Sequence, residues 1–392
     1  MGKRKAHISY YDIMRVLMTG GGTGGHVYPA LAIAELIRRN DPSSEIAFVG
    51  TERGIENRLV PAEGYRLYHI PIQGIRRSLS PSNLKTAYLV LTSPHKAKKL
   101  IEEFKPDLVI GTGGYVCWPL LKAASSMGIP SMVHESNALP GVAVRQLQGK
   151  VDVILTNFAE TEKLLRAKEK VVNVGNPLRG GYDAPDRAEA RRRLGIPDSV
   201  KFVVLSFGGS LGAQRLNEAA VALMRDFSAV RDDVMHIHAT GARGYEEAKR
   251  LLTEQGVCEQ ERILLKDYIY DMPLYMAAAD IIICRAGAMT LTEVAGMKKP
   301  SILIPSPNVT DNHQYKNAKV LADADAAVLI EEKDLTAERL CAEVRELAGD
   351  GLRRQHMSEQ IAAFARKDAG KRIYEEIGRL LRHRDVIRKH GR

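Results

Sequence analysis

Nowhere does this sequence run apolar for the roughly 18 consecutive residues that a membrane-crossing helix needs. Its first fifteen residues, MGKRKAHISYYDIMR, are basic but lack the apolar segment of a signal peptide. The expectation is a chain that neither spans a membrane nor is exported. Cysteine is scarce too. Cys117, Cys258, Cys284 and Cys341 lie far apart with no C-x-x-C pair, which argues against a metal knuckle or a disulfide framework and fits a reducing compartment. Aromatic residues make up 6% of the chain, with a single tryptophan, and they do not interleave with cations in the way that stacks bases, so nucleic acid is not an expected partner. What remains is ordinary globular material, 45% apolar and 27% charged over 392 residues, enough for two domains of about 150 to 200 residues each.

Acidic residues are missing from one stretch in particular. Residues 76–99 carry Arg76, Arg77, Lys85, Lys96, Lys98 and Lys99 and no Asp or Glu, and both chain ends are basic, so the net charge of +10 is unevenly placed. Such surfaces attract polyanions or anionic lipid headgroups. Ile75, Leu79, Leu84, Tyr88 and Leu91 are interleaved with these cations, the pattern of a peripheral membrane anchor and equally of an amphipathic core helix with a charged outer face.

Short, unalternated apolar runs alternate with helical patterns throughout: RVLMTG, EIAFVG, PDLVIG, PSMVHE and VDVILTN, then KFVVLSFGG, VMHIHATG, ERILLKDY, DIIICRAG and PSILIPSP. Strands of this kind belong to parallel sheets covered on both faces, which makes the class α/β. The pattern restarts after a Gly- and Pro-rich stretch at 171–200. Two Rossmann-like halves facing one another across a cleft are expected, with ligands at the carboxyl ends of the strands.

Each half opens on a glycine turn. Gly20, Gly22 and Gly25 fit G-x-G-x-x-G, but the acid that would hold a dinucleotide ribose should close the second strand, where Gly50 and Thr51 stand. Gly208, Ser210 and Gly212 fit the G-x-S-x-G elbow of hydrolases, with His313 or His356 as nominal partners, yet that reading leaves the first half unexplained. Both turns read better as phosphate cradles, because glycine admits close backbone approach and the amides at a helix start favour an anion.

Seven segments carry a family resemblance: GGTGGHVYPALAIAEL, GTGGYVCWP, HESNALPG, VGNPLR, FGGSLGA, RAGAMTLTEVAGMKKPSILIPSP and DNHQYKNA. In this order they resemble the MurG family of glycosyltransferases, from about Arg15 to about residue 365. The resemblance implies a two-domain GT-B fold and inverting transfer of N-acetylglucosamine (GlcNAc) from UDP-GlcNAc to the 4-hydroxyl of lipid I, without an Asp-x-Asp metal site or another cofactor. The one such pair, Asp323 and Asp325, reads as solvated surface. The implied division is a basic extension at 1–14, an acceptor and membrane-facing domain at 15–178, a donor domain at 179–370, and a basic helix at 371–392 that packs back on the first domain. Ser136 and Leu211 stand where some relatives have Gln.

Carried over residue by residue, the resemblance puts the donor diphosphate at Ser210 and its neighbouring amides, and uracil on the backbone of Ile269. Glu293 would accept both ribose hydroxyls at the end of the run Ala288, Met289, Thr290, Leu291 and Thr292. Gln314 would bind the sugar hydroxyls, with His313 beside it, and Arg179 would reach the nucleotide or sugar. In the first half Thr23, Gly24 and Gly25 would meet phosphate and donor, and Tyr115 and Asn137 the acceptor or sugar. His26 and Glu135 are the two candidates for the base that deprotonates the acceptor hydroxyl. A histidine at a helix start has its imidazolium disfavoured by the dipole, while Glu135 at a strand end also reads as a brace for the HESN loop. Ile75, Arg76, Arg77, Leu79, Leu84 and Lys85 would meet an anionic membrane surface, on the cytoplasmic face of a bacterial cell membrane. Cell-wall synthesis and division proteins are the protein partners implied. The competing readings are a UDP-sugar epimerase, another GT-B transferase acting on a lipid acceptor, and a non-catalytic membrane scaffold.

Overall fold

The computed structural model describes residues 13–74, 82–178, 185–209, 212–257 and 261–390, with the backbone alone at 82–85, 87 and 384–390. The chain forms two compact units. Unit 1 is Met1–Ser136, Pro140–Arg179 and Asp368–Arg392, and unit 2 is Asn137–Leu139 with Gly180–Lys367.

Unit 1 is built on seven parallel strands: β1 Arg15–Thr19, β2 Glu45–Gly50, β3 Arg66–His69, β4 Leu108–Gly111, β5 Ser131–Glu135, β6 Val153–Thr156 and β7 Val171–Asn173, in the order β3-β2-β1-β4-β5-β6-β7. β1 is buried on both faces, and its side chains alternate between two cores. Val16 and Met18 join Ile33 and Ile37 of helix Gly24–Asn40, together with Ile373 and Ile377 of helix Ala369–His390. Leu17 joins Ala97, Ile101 and Phe104 of helix Ser82–Phe104, with Leu120 and Leu121 of helix Cys117–Ser126. The i, i+4 pair Ile373 and Ile377, both essentially unexposed, is what ties the C-terminal helix to the first unit, at about 1.5–3 kcal/mol per buried aliphatic side chain.

Unit 2 repeats the plan with β8 Phe202–Phe207, β9 Val234–Ala239, β10 Ile263–Lys266, β11 Ile281–Cys284, β12 Ser301–Leu303 and β13 Val328–Leu329, all parallel in the order β10-β9-β8-β11-β12-β13. Its floor is pinned by Asp280, which accepts the Val203 N–H at 2.7 Å and pairs with Arg187 and Arg191.

In each sheet the strand order reverses once, between β1 and β4 and between β8 and β11. At such a switch point the following helices leave on opposite faces and open a crevice at the strand ends. Both glycine turns lie there. The edge strands β3, β7 and β13 leave no apolar run in the sequence because their residues are only half covered.

Candidate active site

In unit 1, β1 ends in Gly20–Gly22 and helix Gly24–Asn40 begins with Thr23 as its N-cap, in extended conformation and without a side-chain cap bond. Gly22, Thr23 and Gly25 are exposed and His26 is half-buried. The His26 ring is held on several sides. Its Nδ1 lies 3.2 Å from the Gly21 carbonyl and 3.2 Å from Thr23 Oγ1, and its own carbonyl accepts from Thr112 Oγ1 at 2.6 Å. The loop after β4 passes beneath it through Gly113 at φ +102°, where a Cβ would stand 2.6 Å from the ring, so only glycine fits. Tyr115 follows and packs against Gly22 and Gly74. The structure thus brings Thr23, Gly24, Gly25, His26 and Tyr115 together at the switch point.

Glu135 ends β5, 5% exposed, and its Oε2 accepts the N–H of Gly141 at 2.7 Å, the N-cap of helix Val142–Leu147. It therefore braces the HESN loop. Its neighbour His134 is fully buried, with Nε2 donating to the Gly175 carbonyl at 3.0 Å, and desolvation pulls its pKa down to about 4. The next residues, Asn137–Leu139, belong to unit 2, where Asn317 of helix His313–Ala322 accepts from the Ala138 N–H at 2.9 Å and donates to Asn137 Oδ1 at 3.1 Å. No motif reading had singled out Asn317, although it stands inside DNHQYKNA.

In unit 2, β8 ends in Gly208 and Gly209, and helix Gln214–Leu223 follows Gly212 and Ala213. Ser210 lies outside the described residues; on either side of it Gly212 N–H donates to Gly209 O at 2.9 Å, and Asn217 Nδ2 donates to the Thr240 carbonyl at 3.0 Å. Beneath the turn runs a buried chain the sequence did not reveal. Ser206 Oγ lies 2.8 Å from His236 Nε2 and 2.7 Å from His238 Nδ1, and His238 Nε2 meets Asn217 Oδ1 at 3.1 Å. Burial lowers both imidazoles, His238 to about 4.

Across the switch point, helix Ala288–Gly296 starts at Gly287 after β11, again without a side-chain cap. Ala288, Leu291 and Thr292 face the core, with Thr292 Oγ1 bonded to the Ala288 carbonyl, while Met289, Thr290 and Glu293 are half-buried on the other side. The side chains of Leu291 and Thr292 are therefore turned into the core. Burial lifts the Glu293 carboxyl to about 7, and among the described residues no donor compensates it. A desolvated carboxylate without donors is costly unless something else supplies them. Ile269 follows β10 with its side chain buried, between the exposed Tyr268 and Tyr270. Among the described residues its N–H and C=O take part in no main-chain bond. Gln314 Oε1 accepts the Ser306 N–H at 2.8 Å and His313 Nδ1 donates to Thr310 O at 2.8 Å. Both sit at a helix start preceded by two left-handed non-glycine residues, Asp311 (φ 54°) and Asn312 (φ 51°), a strained entry of a kind that clusters at ligand sites.

The described residues hold no group of three or more His, Cys, Asp or Glu side chains suited to a metal ion. Residues 16–156 match the model of the glycosyltransferase family 28 N-terminal domain and residues 203–373 that of its C-terminal domain. A relative from Acetivibrio thermocellus, named UDP-N-acetylglucosamine–N-acetylmuramyl-(pentapeptide) pyrophosphoryl-undecaprenol N-acetylglucosamine transferase, is 42% identical over 95% of this chain and 99% of its own. One of the same name from Caldanaerobacter subterraneus is 41% identical over 93% and 99%. The crystal structure of Acinetobacter baumannii MurG covers 93% of this chain and 99% of its own at 29% identity, with a TM-score of 0.75. The chain belongs to the MurG family.

A UDP-GlcNAc 2-epimerase from Neisseria meningitidis aligns with a TM-score of 0.63 at 14% identity, covering 93% of this chain and all of its own, which shows a shared fold and nothing finer. Of the residues that resemblance to the MurG family singles out, Arg179 and Ser210 lie outside the described residues, as do Ile75, Arg76, Arg77, Leu79, the side chains of Leu84 and Lys85, and the extension up to residue 12. Tyr88 and Leu91, on the described part of the same basic stretch, are 65% and 81% exposed. No described helix is long and apolar enough to cross a membrane.

Proposed function

We propose that this chain performs the reaction for which its relatives are named, transfer of GlcNAc from UDP-GlcNAc to lipid I, releasing UDP and giving lipid II. The observation that carries the reading is the 42% identity over nearly the whole of both chains. The donor is assigned to unit 2: diphosphate at the 208–212 turn, ribose hydroxyls on Glu293, uracil on the backbone groups of Ile269, and sugar near Gln314 and Asn137. The acceptor is assigned to unit 1.

The chemistry is an in-line displacement. The acceptor 4-oxygen forms a bond to the anomeric carbon, the bond from that carbon to the β-phosphate oxygen breaks, and the hydroxyl proton leaves to a base. Amides at an uncapped helix start stabilise the charge that grows on UDP. Of the two base candidates, Glu135 is buried and already engaged by Gly141, whereas His26 stands half-exposed in the first turn of the helix that follows the glycines; the base is assigned to His26 and the loop-bracing role to Glu135. Because lipid I carries its sugar diphosphate next to a polyprenyl tail, the enzyme works at an anionic bilayer surface, with the exposed Tyr88 and Leu91 and the basic 76–99 stretch as the docking face and the cytoplasmic side as its location.

Radiolabelled UDP-GlcNAc incubated with a short-chain lipid I analogue tests the assignment: label should enter the lipid fraction. Label that stays in nucleotide, or turns up in an epimeric UDP-sugar, would overturn it.

A further inference from the structure

Glu56 belongs to none of the motifs, yet the residue is 1% exposed, beneath the glycine turn of unit 1. Its described partners are all neutral donors. Oε1 accepts from the Thr51 N–H and the Thr51 hydroxyl, each at 3.0 Å, and Oε2 accepts from the Gly22 N–H at 3.2 Å. The segment that carries it is closed on itself, since Asn57 Nδ2 donates to Thr51 O at 2.6 Å and to Gly54 O at 3.0 Å. A Cβ on Gly54 would overlap the carboxylate, so this turn is built around the charge.

The N–H that Oε2 accepts belongs to the same peptide group as the Gly21 carbonyl, and that carbonyl lies 3.2 Å from His26 Nδ1. A carbonyl oxygen only accepts, so Nδ1 carries the hydrogen, and Thr23 Oγ1 at 3.2 Å is placed to share it. Nε2 then keeps the lone pair. A negative charge at the N–H end of a peptide polarises the group and strengthens its carbonyl as an acceptor. Elsewhere a carboxylate orients a catalytic histidine by direct contact; here one peptide group stands between them.

We propose that Glu56 is a positioning residue for glycosyl transfer, acting through the Gly21–Gly22 peptide to hold His26 as the Nδ1–H tautomer with Nε2 as its basic nitrogen. This rests on His26 being the base, as assigned above. The carboxylate touches no substrate in this scheme. Its effect is to set which nitrogen receives the proton and to stabilise the imidazolium once formed.

Long-range ¹H–¹⁵N spectra of the full chain, labelled at histidine and assigned with His26→Gln, read the tautomer directly. The expected result is a protonated Nδ1 and an unprotonated Nε2 in the unaltered protein. In Glu56→Gln the tautomers should mix and kcat should fall about 10-fold or more, with the KM for UDP-GlcNAc changed less than about twofold. An Nε2–H tautomer in the unaltered protein overturns the proposal without any variant having to fold, and so does an unchanged tautomer in a folded Glu56→Gln. Failure of the base assignment shows elsewhere, as kcat retained by His26→Gln.

Discussion

Gly212 and the carbonyl of Thr240 are in direct contact: at φ +78°, Gly212 leaves no room for a Cβ between its own turn and that oxygen. Asn217 Nδ2 donates to the same carbonyl at 3.0 Å, so the end of β9 holds both Gly212 and the helix that follows it. Gly212→Ala should therefore distort the turn. The left-handed backbone alone costs an alanine about 1–2 kcal/mol, before the overlap is relieved. Thermal melting should fall, and calorimetric affinity for UDP should fall with it; wild-type affinity in this variant would show that the turn does not bind the diphosphate.

Glu293 offers a test that depends on pH. Burial raises its carboxyl to about 7, so in the free protein it is largely protonated below that value. Ribose hydroxyls donating to the carboxylate favour the ionised form, and binding must then release a proton when the pH is below about 7. UDP-GlcNAc affinity should rise between pH 5.5 and 7.5, roughly the window around that value, and titrations in buffers of different ionisation enthalpy should detect the released proton. Glu293→Gln should abolish the release and weaken binding by about 1.5–3 kcal/mol per charged hydrogen bond lost. Proton uptake instead of release would contradict the assignment.

The buried imidazoles predict how the fold responds to acid. Desolvation depresses His134, His236 and His238 below their ordinary value, so the unfolded chain binds protons that the folded one refuses. Their neutral forms give a stability that is complete above the unfolded pKa near 6.5 and is lost as pH falls towards about 4, each at up to about 1.4 kcal/mol per pH unit. Urea unfolding measured from pH 7 to pH 4 should show this decline, and His238→Gln should flatten it. A stability that held constant over that range would mean these rings are not buried neutral.

The sequence made most of this architecture legible where strands are buried on both faces. β1, β4 and β5 read as apolar runs because both faces are covered, and the edge strands β3, β7 and β13 did not because theirs are not. The glycine turns were visible through spacing and Glu293 through its motif. Glu56 was not, since its partner Gly22 stands 34 residues away and a glutamate in a polar turn reads as solvent-facing; the flanking Gly50 and Gly54 were the available signal. The Ser206–His236–His238 chain hid inside the strand run VMHIHATG, which reads as one more buried strand, and its partner Ser206 stands 30 residues from His236.

Binding at the membrane should be reversible and salt-sensitive. Basic residues near an anionic surface contribute about 1 kcal/mol each, and Tyr88 and Leu91 project from the adjoining helix. Vesicles containing phosphatidylglycerol or cardiolipin should bind the protein and neutral vesicles should not. Replacing Arg76, Arg77 and Lys85 together with Ser should weaken sedimentation with the vesicles while turnover of a short-chain soluble acceptor stays near normal. Equal binding to neutral and anionic vesicles would assign the stretch to an ordinary solvated helix face.

Product analysis distinguishes an inverting transfer to one hydroxyl from every competing reaction. UDP-GlcNAc and a lipid I analogue should give one UDP per GlcNAc transferred and a β-linked disaccharide by NMR of the anomeric proton, with no product from an analogue lacking the MurNAc 4-hydroxyl. An α-linked product, transfer to the 4-deoxy analogue, or conversion of UDP-GlcNAc without any acceptor would contradict it.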